Sequence, residues 1–416
     1  MFKYLRNISI PLFIITPFLG FVLSLFNLKS KSSAIIYIIF AMLFGFSISF
    51  SDTSADSFRY AEAFQNFDNT LNFDRILVMY QNGELRDMYR LLLFYFTSLF
   101  TTNPKVMYAF AGLVYGTFSY LSILTFLESS KKKWDVYICI LGIVFFTFAS
   151  LASVNGFRFN TGALVLYYSI YKFIILKKKF WVIGILITPF FHYGFLLIIP
   201  VLLIYKLIER FLYDSQNIFK PLYYFFILCF IASWFLKTNS INLEFLQESS
   251  LIGEAASSRM SYINSEDVAQ IVAERAEHSL FLNVQKIFNI GIKLYVFLTI
   301  VFTYNLLKRF GGNKKPFLTL FAFVLFFYSF CFIATSIPSG GRFLFIAHLF
   351  LAIMLVTLYS HYSKRNIKNL IIFALPVFLF NIVFINLILP ILILTPTFWF
   401  GNLFWILGEG LNFKLI

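Results

Sequence analysis

The chain has 416 residues, of which 60% are hydrophobic, 21% aromatic and only 13% charged. Its mean hydropathy is +0.80; a soluble domain carries about 25% charged residues, so a soluble globular fold is excluded. The net charge of +15 comes from 34 Lys and Arg against 19 Asp and Glu, mostly in short clusters beside apolar runs. That placement points to membrane topology and anionic lipid, and not to nucleic acid.

Apolar runs of roughly 17 to 24 residues recur from end to end, the length that crosses a hydrocarbon core about 30 Å thick. They are too long and too uniform for the alternating strands of a membrane barrel. The expected fold is all-α, a single polytopic membrane domain over residues 1–416, with about twelve transmembrane helices plus interfacial or re-entrant helices. The runs are 8–26, 34–51, 105–127, 134–152, 157–176, 180–192, 193–208, 219–236, 285–307, 316–337, 341–362 and 367–390. The first follows Met1 to Arg6 without a small-residue cleavage site, so it reads as a retained span and not as a signal peptide. The short run 180–192 contains Pro189 and predicts a bent or half-depth helix.

Basic clusters set the orientation. Lys131 to Lys133, Lys177 to Lys179, Lys308 with Arg309, Lys314 with Lys315, and Lys364 to Lys368 all fall on one side if the spans alternate, and the positive-inside rule makes that side cytoplasmic. Lys29 and Lys31 agree; Lys3 and Arg6 fall outside and dissent. Two polar segments then face away from the cytoplasm, 51–104 and the glutamate-rich 237–284. Within the first, Met88 to Phe100 is amphiphilic and reads as an interfacial or re-entrant helix. The aromatic tail Ile391 to Trp405 either lines the outer interface or re-enters. Cys139, Cys229 and Cys331 lie in apolar runs without metal-ligand spacing and read as small buried hydrophobes.

Two arginines sit at the outer mouths of their spans: Arg158 in "NGFRFN" and Arg342 in "SGGRFLF". A helix N-terminus beside a guanidinium makes an anion site, and preceding glycines leave backbone N–H groups accessible. The plainer explanation is snorkelling to headgroups. Two matching motifs on the side that disfavours cations shift the balance towards function. In "SDTSADSFRYAEAF", helical spacing puts Asp52, Asp56, Arg59 and Tyr60 within an arc of about 100°, with Phe58 and Ala61 opposite. Ordinary reasons for the same residues are an N-cap at Asp52 and an Asp56–Arg59 ion pair. A carboxylate there is also a candidate base for a hydroxyl. His192 in "PFFHYGF" is a second candidate proton acceptor, against the commoner role of a hydrogen-bonded core histidine. His348, on the Arg342 helix, is a weaker version of the same idea. Arg259 and Tyr262, an i, i+3 pair in the second polar segment, are candidate substrate contacts or a solvated face. There is no P-loop, no Ser-His-Asp elbow and no His/Cys metal cluster, so neither a metal nor a cofactor is expected.

With these residues in place, the chain resembles the EpsG-like, Wzy-type polymerases of bacterial surface polysaccharide. "SDTSADSFRYAEAF" is similar to that family's Asp-Thr-x-x-Asp-x-x-x-Tyr region. "NGFRFNTGALVLYYSIYKF" resembles its arginine-headed span, "FFHYGFLLIIP", with His192 and Tyr193, its His-Tyr/Ser helix, and "GGRFLFIAHLF" its late arginine. "LRDMYRLLL" is a looser counterpart of its Glu-Pro-Gly-Tyr segment. The resemblance implies a GT-C-like, metal-independent glycosyltransferase at the outer face of the bacterial cytoplasmic membrane. Its substrates are polyprenyl-diphosphate-linked oligosaccharides, such as those of O-antigen or capsule, with membrane lipid and a chain-length regulator as further partners. In this scheme Asp52, Asp56 or His192 serves as base. Arg158 and Arg342 hold the diphosphate, and Arg59, Tyr60, Tyr193, Arg259 and Tyr262 touch substrate. The competing classes are a flippase for the same lipid-linked oligosaccharide, whose cations belong near the bilayer midplane, and a membrane acyltransferase, which needs a histidine–carboxylate pair near the cytoplasm.

Overall fold

The computed structural model describes residues 2–50, 56–67, 73–75, 78, 87–131, 134–212, 219–236, 280–310, 315–337, 339–362 and 364–410. Asp52, Arg259, Tyr262 and nearly all of the segment 237–284 lie outside these residues. The helices in chain order are α1 (Phe2–Ile15), α2 (Pro17–Leu25), α3 (Lys31–Phe46), α4 (Asp56–Gln65), α5 (Met88–Ser98) and α6 (Pro104–Ser129). Then come α7 (Val136–Phe148), α8 (Phe157–Ile170), α9 (Val182–Phe191), α10 (Ile198–Leu212), α11 (Phe219–Phe235) and α12 (Leu280–Phe310). The last are α13 (Lys315–Ala334), α14 (Leu344–His361), α15 (Arg365–Val383), α16 (Leu389–Ile393), α17 (Pro396–Phe400) and α18 (Leu403–Gly410). Among the described residues the only extended pairing is one antiparallel bridge, Ile48 with Leu394.

Among the described residues six helical stretches are long and apolar enough to cross a membrane: Pro104–Ser129, Val136–Ile175, Asn283–Lys308, Pro316–Ala334, Gly340–His361 and Arg365–Ile393. Three shorter apolar helices join them, Lys31–Phe46, Lys179–Phe191 and Phe219–Phe235. This is an all-α, multi-pass membrane protein, with fewer long spans than the runs of the sequence drew. One cause is visible: the first run divides at Thr16, where Pro17 opens α2. The stretch Val136–Ile175 is two antiparallel helices, as the separate runs 134–152 and 157–176 predict, because the rings of Phe145 and Tyr167 lie 5.9 Å apart. On one straight helix those residues would be about 33 Å apart.

Lateral contacts give the relative directions. Tyr167 meets Thr125 at 2.7 Å and Tyr171 meets Ser129 at 3.1 Å, so α6 and α8 run parallel. Phe159 meets Phe343 and Tyr167 meets Phe350, so α8 and α14 also run parallel. Tyr137 pairs with Tyr359 and Phe148 with Phe345, so α7 runs against α14. These are the directions that alternating spans require. They gather Lys131, Lys172, Lys177, Lys206 and Lys368 at one end of the bundle and the heads of α8 and α14 at the other.

The backbone just before Arg158 is a 3-10 segment, Leu151–Gly156, packed against α6. Non-α backbone at membrane depth needs its carbonyls satisfied by protein. Ser119 donates to the carbonyl of Ala149 at 2.8 Å, Tyr115 to Ser150 at 2.7 Å and Tyr108 to Asn155 at 3.3 Å. Helix α6 therefore holds the entry of α8 in place. It is itself clamped to α3, where a Cβ on Gly45 would fall 2.1 Å from the carbonyl oxygen of Tyr108. Only glycine permits that approach.

The tail packs beside α2 and α3. Ser49 donates to the Ile393 carbonyl at 2.7 Å, and Phe398 packs on Phe40 and Phe44. Cys229 and Cys331 are buried, but Cys139 is exposed on α7, a position that faces lipid in a spanning helix.

Candidate active site at the heads of two parallel helices

Helix α4 buries Ser57, Tyr60, Ala61 and Phe64, an i, i+3, i+4, i+7 stripe. Tyr60 and Ala61 therefore share the inner face, where the sequence had set them on opposite sides. The physical reason is the pull of Arg158 and its neighbour. The ring of Tyr60 packs edge-on against Phe157 at 5.1 Å, and its hydroxyl accepts a 2.7 Å hydrogen bond from Arg158 Nε. The Arg158 guanidinium also lies 4.9 Å from the centre of the Tyr60 ring. Burial pushes the Tyr60 phenol above the ordinary tyrosine range, against the opposing pull of Arg158, so it stays a neutral O–H donor at neutral pH. Asp56 and Arg59 remain on the solvent side and form an i, i+3 ion pair at 2.5 Å. Asp56 still faces the site: its Oδ2 lies 3.7 Å from the Cβ position at Gly156, and its charge acts on Arg158.

The strongest contact of Arg158 is with a residue the sequence reading did not select. Asp87, 1% exposed, pairs through Oδ2 with Arg158 Nη1. Its Oδ1 accepts the backbone N–H of Tyr193 at 3.3 Å. One buried carboxylate thus ties the head of α8 to the turn after α9. Asp87 lies within "LRDMYRLLL", the looser counterpart segment, and the signal was an acid placed directly before an amphiphilic run. Arg90, in the same segment, was also passed over; its guanidinium stands 5.9 Å from the ring centres of both Tyr60 and Phe94.

The second arginine reaches the same place through Phe159. The Arg342 guanidinium is 5.8 Å from the Phe159 ring centre. On the other contact of that ring, His192 stands edge-on at 5.4 Å. The charges of Arg158 and Arg342 both act on His192. Arg158, Phe159, His192 and Arg342 are therefore one group of neighbours. Arg342 is exposed and has no carboxylate partner among the described residues, whereas Arg158 is already paired.

The glycines before Arg342 have a different purpose from the one expected. Arg342 lies in a 3-10 turn, Gly340–Phe343, entered through Ser339 at φ 62°. A Cβ on Gly340 would sit 1.8 Å from the Ala334 carbonyl oxygen, so the turn requires glycine there. The backbone N–H groups of Gly340 and Arg342 are not open donors, because they bond the carbonyls of Ile337 and Ser339. The Arg342 side chain adds its own donors for an anion.

His192 closes α9, and its Nδ1 accepts the backbone N–H of Gly194 at 3.1 Å. An accepting Nδ1 assigns the proton of the neutral ring to Nε2, which becomes a donor. The Tyr193 ring stacks on His192 at 5.2 Å. His348 lies elsewhere, buried in the bundle and bonded to Tyr328 at 2.8 Å. Among the described residues no three His, Cys, Asp or Glu side chains are grouped to hold a metal.

The arrangement is two guanidinium groups, a neutral imidazole donor, a phenol donor and a carboxylate in the solvent, set beside aromatic rings at a membrane face. A profile of the EpsG family, a family of Wzy-type polysaccharide polymerase-like proteins, matches residues 32–393. The chain belongs to the EpsG family. The match runs from α3 to the end of α16 and takes in every described residue of the arginine group. No curated protein and no solved structure matches the chain. Membership of the EpsG family carries a polysaccharide polymerase-like role for this membrane protein.

Proposed function

We propose that the protein joins lipid-linked oligosaccharide repeats on the outer face of the bacterial cytoplasmic membrane, through about twelve crossings of a GT-C-like arrangement. The observation that carries the reading is the convergence of Arg158 and Arg342 on Phe159 and His192. Transfer breaks the bond between the anomeric carbon of the growing glycan and its polyprenyl diphosphate. The diphosphate leaves with the electron pair, a hydroxyl oxygen of the incoming repeat bonds the anomeric carbon, and the hydroxyl proton passes to a base.

Arg342 offers its whole fork to the departing diphosphate. Arg158, held by Asp87 and Tyr60, offers its remaining N–H groups from a fixed position. His192, as an Nε2–H donor, serves the same oxygens; in this assignment it is not the base. Asp56 takes the hydroxyl proton, because its carboxylate is paired with Arg59 and open to solvent that can carry the proton away. Tyr60 and Tyr193 position sugar hydroxyls and ring faces.

The test uses purified protein and a polyprenyl-diphosphate-linked repeat, with chain length read on a gel. Arg342→Ala and Arg158→Ala should each lower polymer formation by about 10²-fold or more. The Lys variants should recover part of it, since an ammonium replaces the charge but not the fork. Wild-type chain length from both alanine variants would overturn the leaving-group role, and failure of the purified wild type to lengthen the repeat would favour a flippase.

A further inference from the structure

An open concavity lies at the junction of α4, α5 and α6. Its volume is about 390 Å³, and it is lined by Phe50, Gln65, Thr101, Thr102, Asn103 and Lys105, among others. That volume lies in the range of small-molecule sites. The lining combines an aromatic ring, hydroxyls, side-chain amides and one cation, and it contains no carboxylate. Amides and hydroxyls bond sugar hydroxyls, and a ring face covers the C–H face of a pyranose.

Some lining groups serve the fold. Asn103 Oδ1 caps α6 through the Lys105 N–H at 2.9 Å, and Thr101 Oγ1 accepts the Asn103 N–H at 3.1 Å. Thr102, Gln65 and the Lys105 ammonium have no such structural hydrogen bond among the described residues. Lys105 is half-buried with no ion pair among the described residues, and it stands in the first turn of α6, where the helix dipole disfavours a cation. Helix stability therefore does not account for a cation at this position.

Packed aromatic rings connect the concavity to the arginine group. The Phe50 ring is 5.5 Å from Tyr108, and Tyr108 is 5.5 Å from Phe157, the residue before Arg158. Gln65 closes α4, whose first turns carry Asp56 and Tyr60; the helix between them spans about 14 Å.

From this cavity, and resting on the polymerase reading, we infer that it is the acceptor subsite. It binds the saccharide of the incoming repeat and selects one bearing an acidic group, which pairs with Lys105, so that the attacking hydroxyl is delivered along α4 towards Asp56.

The experiment uses the full-length protein in lipid nanodiscs. The probes are repeat-length fragments cut by partial acid hydrolysis from the host's own surface polysaccharide, free of diphosphate, before and after reduction of their carboxyl groups. Fragments should bind the wild type. Lys105→Met should weaken binding by about tenfold, the loss of one charge-assisted contact, and Gln65→Ala and Thr102→Val by a few-fold each. Carboxyl reduction should reproduce the Lys105→Met loss and have no further effect in that variant. Unfolding temperatures within a few degrees of wild type show that the variants fold. Arg342→Ala should keep fragment binding, because the probe has no diphosphate. Equal binding by the wild type and all three pocket variants overturns the subsite, whether or not polymer forms. Indifference to carboxyl reduction overturns the acidic selectivity. Loss of polymerisation with normal pocket-dependent binding overturns the polymerase reading alone.

Discussion

At the scale of single residues, the site turns on which charges are committed. Arg158 is pinned by Asp87, so its position is set before substrate arrives; Arg342 is held only by its turn and the Phe159 ring. This distinction predicts the behaviour of Asp87. Asp87→Asn keeps an oxygen for the Tyr193 N–H but removes the charge that anchors the guanidinium. Breaking one side of a buried pair costs about 3–5 kcal/mol when the other charge stays uncompensated. Arg158 is 21% exposed and can turn towards solvent, so the stability loss should fall below that range. The catalytic loss should be large, about 10²-fold, from misplacement of a positioned group. Chain-length assays and unfolding temperatures on the same preparation check this. A variant with full activity would show that Asp87 does not position Arg158. The arginines stand out in the sequence because the expected topology sets them at an outer mouth, against the charge rule. Asp87 was not, because an acid in a polar loop looks ordinary until the fold buries it.

At the scale of elements, helices were legible where hydrophobic periodicity is strong, and the orientation of short ones was not. The segment around Asp56 reads as helical from its spacing, yet the face it buries depends on Phe157 and Arg158, which are far away in sequence. Cross-element ion pairs are equally invisible. Glu209 of α10, 7% exposed, accepts from Lys206 on its own helix and from Lys177 beyond the end of α8. Burial pushes the Glu209 carboxyl up, but hydrogen bonds from Lys177 and Lys206 outweigh this and hold it below the ordinary range. The folded state therefore binds that proton more weakly than the unfolded chain. Its stabilisation is fully present above about pH 4.3 and fades as pH falls through the lower folded value. Glu209→Gln should lower stability by about 1–3 kcal/mol at neutral pH, and the difference from wild type should shrink towards pH 3. Thermal unfolding across that pH range reads both effects; a constant difference would mean the pair contributes no charge-dependent stability.

At the scale of the molecule, the all-α membrane class was legible from composition alone, since no soluble core could absorb so many apolar runs. The number of long helices was not, because a hydropathy run does not reveal whether it splits at Pro17. What the structure adds is polarity of the bundle. Lys131, the Lys172–Glu128 pair and the Glu209 cluster sit at one end, and Asp56, Tyr60, Arg158 and Arg342 at the other. If basic clusters mark the cytoplasmic side, then the arginine group must face outwards, where a lipid-linked repeat with a diphosphate head is at hand. Single cysteines test this in a background with the exposed Cys139 replaced by serine and the buried Cys229 and Cys331 by alanine. Glu62→Cys, on the exposed face of α4, should react with a membrane-impermeant maleimide in intact spheroplasts. Lys131→Cys, at the end of α6, should react only after permeabilisation. The reverse pattern would put the arginines in the cytoplasm. There the surrounding potential already concentrates cations of the protein, the two arginines need no special purpose, and the outward polymerase reading would have to be given up together with its substrate.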